Sequence, residues 1–273
     1  MFDLHVHSAP CVLPRLAGDV QTVAWYEEGG FEGCVLKGHY EPTAGRAAAA
    51  GTGRRVRVHG GIVLNRPAGG LEPAAVDAAL ALGARVVWMP TLDALGHLEA
   101  GLGRPPAAAP GPALAVPPRD PAAAEPVRRI LASVAEADAV IATGHLTGPE
   151  VGWLVRAARE AGVRRVLVTH PTFLVPDLGE AELRELAELG AALELCAYQL
   201  LHQPGCDAAR LAAAVRAAGP EHVVLSSDAG QPDTPPAPEA LALLVEALAA
   251  EGLDRAALEA SASELPRRLV EDY

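Results

Sequence analysis

The chain opens MFDLHVHSAP, with His5 and His7 two residues apart behind Asp3. Side chains at i and i+2 of a strand share a face, so two imidazoles are offered in one direction. Further along, His145 ends AVIATGH, His170 ends RRVLVTH and Asp228 ends HVVLSSD. Each follows an apolar run. Imidazole and carboxylate donors suit zinc and related divalent ions, and such sets commonly leave a position open for water or substrate. The chemistry implied is hydrolysis. A bound ion activates water and polarises the scissile bond, and a carboxylate takes the proton. His5, His7, His145, His170 and Asp228 are the candidate ligands; Asp228 and His170 are the candidate catalytic groups.

A second set is offered by VLKGHY, where Lys37 and His39 share a face. A buried lysine needs a partner. Lys37 either pairs with a carboxylate such as Glu194, which interrupts the apolar run AALELCA, or carries a carboxylate adduct that bridges metals, or holds a substrate carboxylate or phosphate. His39 is read as a ligand or a substrate contact, and Glu194 as a further ligand candidate. Asp3 either fixes the tautomer of a ligand histidine or satisfies strand-edge amides. Asn65 and Tyr40 are candidates for orienting substrate. Thr147 and Glu150 have the spacing of a helix capping box and need no chemistry. His59 is read as structural, and His97, His202 and His222 as surface or packing residues.

These residues need a scaffold that brings distant strand ends together. Apolar runs at 2–7, 33–38, 56–64, ARVVWMP, ADAVIATG, VRRVLVTH, GAALELCA and EHVVLSSD predict eight strands. Helices are predicted over 18–29, EPAAVDAALALG, 149–161, 179–189, 207–218 and 237–251. Alternation of this kind predicts a parallel sheet covered by helices. Eight units predict a (β/α)8 TIM-type barrel, whose chemistry sits at the C-terminal ends of the strands. A doubly wound sheet is the alternative, but no glycine-rich phosphate loop follows the first strand. The 273 residues are read as one domain. A Pro/Ala-rich insertion at about 96–122 breaks the rhythm and is read either as a lid or as a mobile insertion.

The formal net charge of −12 argues against nucleic-acid binding. Cys11, Cys34, Cys196 and Cys206 form no CxxC pair, so reduced thiols are expected. No basic segment precedes an apolar run, and none is long enough to span a bilayer. The expectation is a cytoplasmic enzyme acting on a small molecule, without membrane or nucleic-acid partners and compatible with a homo-oligomer.

The ordered set of HxH, two later histidines and a final aspartate resembles the metal-dependent amidohydrolase superfamily, and it runs from residue 3 to residue 228. The phrases DLHVHSAP, VLKGHYEPT, GGIVLNR, VVWMPT, ATGHL and SSDAGQP resemble an amidohydrolase-like branch defined by a conserved domain of unknown function. The resemblance implies a (β/α)8 fold, cleavage of amide, ester or phosphoester bonds, and one or two divalent ions, zinc foremost, at the five residues named. It fails at strand four, where WMPT stands in place of a bridging lysine or glutamate. A standard bridged dinuclear centre is therefore not expected. Two other functions are open: a phosphoesterase of the histidinol-phosphatase type, which also begins HxH, and a non-catalytic barrel that only binds a metal or ligand.

Overall fold

The strands are where the apolar runs place them. In a computed structural model that describes residues 1–105 and 111–271, the described residues form β1 (Phe2–His7), β2 (Gly33–Lys37), β3 (Arg57–Val63), β4 (Ala84–Trp88), β5 (Val140–Ala142), β6 (Arg165–Val168), β7 (Ala192–Cys196) and β8 (Val223–Ser226). They pair in chain order, and every pairing is parallel. The ring closes between β8 and β1. Val6 bridges to Ala229, the His7 N–H donates to Ala229 O at 2.9 Å, and the Asp228 N–H donates to His5 O at 2.8 Å. This is a (β/α)8 barrel.

The runs are continuous because both faces of each strand are buried. Phe2, Leu4, Val35, Val63, Val86, Trp88, Val140, Leu167 and Val224 fill the lumen as one cluster. Val6, Leu36, Ile62, Val87, Val168 and Leu225 face the surrounding helices. The helix Glu264–Val270 brings Leu269 and Val270 into the lumen cluster, and His59 pairs with Glu271 at 3.3 Å beside it. His59 is thus held by a residue of the C-terminal segment.

The amphipathic helix Ala124–Glu136 was not among the expected elements. It buries Val127, Ile130, Leu131 and Val134, a helical repeat of one face. Its signal lies directly behind the prolines of the insertion. The helix Leu95–Glu99 stands at the start of that insertion, ahead of its prolines. Both ends of the segment are tied down. The Leu95 N–H donates to Leu114 O at 2.7 Å, and the Val116 N–H to Glu150 Oε1 at 2.9 Å. Residues 106–110 of the insertion lie outside the described residues. No helix among the described residues is long and apolar enough to cross a membrane.

Candidate metal centre at the barrel mouth

The first strand does not alternate simply. Its pairing with β2 shifts register between Asp3 and Val6. Leu4 packs in the lumen, yet His5 and His7 also point inward, toward Glu194 and Asp228. A bulge re-aims side chains in this way. Asp3 stabilises the local backbone: its carboxylate accepts from the His5 N–H at 3.0 Å, the Ser227 N–H at 3.1 Å and Tyr26 Oη at 2.5 Å. Of the two readings of Asp3, this is the one that satisfies amides.

Four groups converge above the lumen. His5 Nε2 lies 3.0 Å from Asp228 Oδ1 and 2.9 Å from Lys37 Nζ. His7 Nε2 lies 3.2 Å from the same Asp228 oxygen. Behind His5, its Nδ1 meets Glu194 Oε2 at 3.2 Å. Cys196, two residues past Glu194, completes a group with His5 and Asp228 whose donor atoms lie within 4.8 Å of one another. Lys37 Nζ also stands 5.3 Å over the Trp88 ring.

The remaining histidines extend from this point as a chain of rings. His39 stacks on His7 at 4.7 Å. His170 is 6.3 Å from His5 and 4.9 Å from His145. His145 Nδ1 is 2.7 Å from His97 Nδ1, and His97 Nε2 is 2.8 Å from Gly103 O. A carbonyl only accepts, so His97 carries its proton on Nε2. His145 must then donate from Nδ1, which leaves its Nε2 with a lone pair. Asn65 is fully occupied, donating to His39 O at 3.0 Å and accepting from the Thr91 N–H at 2.9 Å. It braces the mouth without lining the cavity, and Tyr40 does not line it either.

Burial sets the charges. It keeps His7, His39 and His145 well below the usual imidazole range and takes His170 down to about 4. His5 differs: burial opposes its charge, but Asp228 and Glu194 outweigh burial and push it up to about 9. Burial alone would raise Asp228, yet the charge of His5 and its hydrogen bond hold it well below the carboxylate range. Burial lowers Lys37. His5 Nε2 cannot donate to Asp228 and accept from Lys37 together, so imidazole and lysine do not both carry their full complement of protons here.

The donor set fits a divalent ion. Neutral His7 has one N–H, and Lys37 O, 3.1 Å from Nδ1, accepts it. Nε2 therefore turns a lone pair toward an ionised carboxylate oxygen. Two electron-rich atoms facing each other at 3.2 Å are stabilised by a cation between them. His170 Nδ1 and Glu194 Oε1 are buried without a hydrogen-bond partner among the described residues, so further donors are at hand. His170 and Asp228 also hold positive φ, 27° and 47°, a strain of about 1–3 kcal/mol each for such residues. Strain of this kind persists where the surroundings fix a side chain's aim.

Several residues of the site escaped the sequence reading. Cys196 had a signal, since it shares a face with Glu194 at i+2. His97, read as a surface or packing residue, is buried and lines the cavity. Arg15, Arg104, Tyr198 and Gln231 line it as well. They sit on loops or on a short helix, where no strand periodicity marks them.

No curated protein matches the chain. Among solved structures, a lactonase from Listeria monocytogenes superposes with a TM-score of 0.66 at 11% identity, covering 98% of this chain and 94% of that one. An amidohydrolase from Pseudomonas aeruginosa gives 0.63 at 11% identity, with 99% and 96% covered. An organophosphorus hydrolase from Deinococcus radiodurans gives 0.63 at 12% identity, with 98% and 92% covered. At these identities the likeness is one of fold, a (β/α)8 barrel. The model of a family of unknown function, DUF6282, matches residues 1–194, and the chain belongs to that family.

Proposed function

We propose that the protein is a metal-dependent hydrolase that cleaves an ester, lactone or amide bond of a small molecule. The observation that carries this reading is the convergence of His7 Nε2 at 3.2 Å and His5 Nε2 at 3.0 Å on one oxygen, Asp228 Oδ1. His5, His7 and Asp228 would hold the ion, with His170, Cys196 and His145 as further donors. The mixed nitrogen, oxygen and sulfur set favours zinc. When bound, the ion supplies Lewis acidity, which makes water a nucleophile at neutral pH and polarises the scissile bond.

The chain's own groups do the rest. Asp228 Oδ1 faces the two histidines, so Oδ2 is the oxygen left to take the proton of the attacking water. Glu194 holds the His5 ring by its Nδ1 and keeps Nε2 toward the mouth. Lys37 O does the same for His7. His170 stays neutral and offers ring nitrogens to the ion or to the substrate. Lys37, with its lowered pKa, would stand beside a bound ion as a neutral amine or as the amine of a carboxylate adduct. Four cysteines without a disulfide among them support a reducing, cytoplasmic setting. Neighbours named lactonase, amidohydrolase and organophosphorus hydrolase support the choice of bonds.

The test is a panel of lactones, esters, amides and phosphoesters, run on protein as purified and after chelation. Turnover that chelation abolishes and zinc restores is expected. Turnover that survives complete metal removal would show the reading to be wrong.

A further inference from the structure

The cavity at the mouth has a volume of about 350 Å³, within the range of small-molecule sites. In a chain of net charge −12, its lining holds the cations Arg15, Lys37 and Arg104, and Asp228 is the carboxylate that faces them. Two of these cations are committed. Lys37 bonds His5 Nε2 at 2.9 Å. Arg104 pairs with Asp93 at 2.7 Å and donates to Gly111 O at 2.9 Å.

Arg15 is different. Its Nε and Nη2 are buried and have no hydrogen-bond partner among the described residues. These two nitrogens share one edge of the guanidinium, and their N–H groups run parallel, the fork that grips two oxygens of one oxyanion. Leaving buried donors unmade is costly, so a site that keeps such an edge is made for a ligand. The residue is held in place: the Leu16 N–H donates to Gly230 O at 2.8 Å, which ties the loop after β1 to the loop after β8. Its charge depresses His7, Lys37 and His39, so it stands beside the reactive groups. Gln231 donates to Asp228 O at 3.1 Å, and its Oε1 is likewise buried and unpartnered, an acceptor for a substrate hydroxyl or amide.

We infer that Arg15 binds an oxyanion of the substrate, so that the enzyme takes a small ester, lactone or amide carrying a carboxylate or phosphate away from the bond it cleaves. This rests on the hydrolase reading above for the bond cleaved, though not for the anion.

Two measurements separate the claims. The first is calorimetric binding of glutarate, methyl phosphate and uncharged glutaramide to the full chain at fixed metal content. At least one anion should bind and glutaramide should not, and the tighter anion decides between carboxylate and phosphate. Arg15→Gln should weaken that anion by about 10²-fold. Arg15→Lys should recover part of it, because a point charge keeps the attraction and loses the fork. Equal binding of glutaramide, no binding of either anion at millimolar concentration, or binding unchanged in a folded Arg15→Gln chain overturns the anion site. The second is turnover of p-nitrophenyl acetate against mono-p-nitrophenyl glutarate. The charged ester should have the higher kcat/KM, and Arg15→Gln should reduce that preference. If neither ester nor any member of the lactone, ester, amide and phosphoester panel is cleaved while anion binding still needs Arg15, the hydrolase reading fails and the anion site stands. If both are cleaved with the preference unaltered in Arg15→Gln, the anion site fails and the hydrolase reading stands.

Discussion

Glu194 Oε2 lies 3.2 Å from His5 Nδ1, inside the barrel and fully buried. An acid placed across the lumen thus fixes the ring whose other nitrogen faces Asp228. Groups that orient a ligand imidazole are commonly worth about 10–100-fold in metal affinity. Glu194→Gln keeps the shape and removes the charge. It should weaken zinc binding by about that factor in a chelator competition titration, while circular dichroism shows an intact fold. Unchanged affinity would mean that Glu194 does not act through His5.

Proton release should accompany metal binding. His5 in the metal-free protein is pushed up to about 9, so at pH 7.5 it carries a proton that an entering ion must displace. Zinc affinity should therefore rise with pH until about 9 and level off. Calorimetry in buffers of different ionisation enthalpy reads the released proton directly. No buffer dependence at neutral pH would contradict the charge state of His5.

The metal-free protein should lose stability in acid. His170 falls from 6.5 to about 4 on folding, and His7, His39 and His145 are lowered well below 6.5, all by burial. A group with a lowered folded pKa gives its full stability above the unfolded pKa and loses it as pH falls through the folded one. The loss should begin near pH 6.5 and continue to about 4, with roughly 3 kcal/mol at stake for His170 alone. His5 acts in the opposite sense, stabilising below 6.5 and ceasing to do so as pH rises through 9. The Tm of chelated protein, followed from pH 8 to 4, checks the acid limb. A flat profile would contradict burial of neutral imidazoles.

Asp228→Asn should lower kcat by about 10²–10⁴-fold, the usual worth of a positioned proton acceptor. Asparagine tolerates the φ of 47° that Asp228 adopts, so the fold should hold. Metal content must be measured beside the rate, because Asp228 is also a proposed ligand. A wild-type rate at equal occupancy would remove Asp228 as the base.

Gly230 has φ 111°, and a Cβ there would lie 1.8 Å from His7 O. Gly230→Ala must move the β8 loop away from β1. It should lower Tm and weaken metal binding together, at a cost of at least about 2 kcal/mol. Loss of stability with metal affinity intact would show that the His7 strand end is insensitive to this contact.

How much of this was legible in the sequence depended on periodicity. The strands were legible because residues such as Val86 and Val87 are buried on opposite faces, which makes the runs unbroken. His170 and Asp228 were legible as polar residues just past those runs. Asp3 was legible as a backbone anchor only as one of two readings, since the register shift that turns its carboxylate to Ser227 depends on pairing. His97 was hidden for another reason. It sits on the short helix Leu95–Glu99, and only the fold brings it to His145. Arg15 lies outside any regular element, so nothing in its spacing marks it as a pocket residue.

The most direct test of the central claim is the metal content of the chain beside its turnover, for wild type and for a His5→Asn, His7→Asn double variant. The protein should carry at least about one divalent ion per chain, and the variant should lose ion and turnover together while remaining folded. A wild-type chain that cleaves its substrate without a stoichiometric ion, or a variant that keeps the ion, would contradict the account.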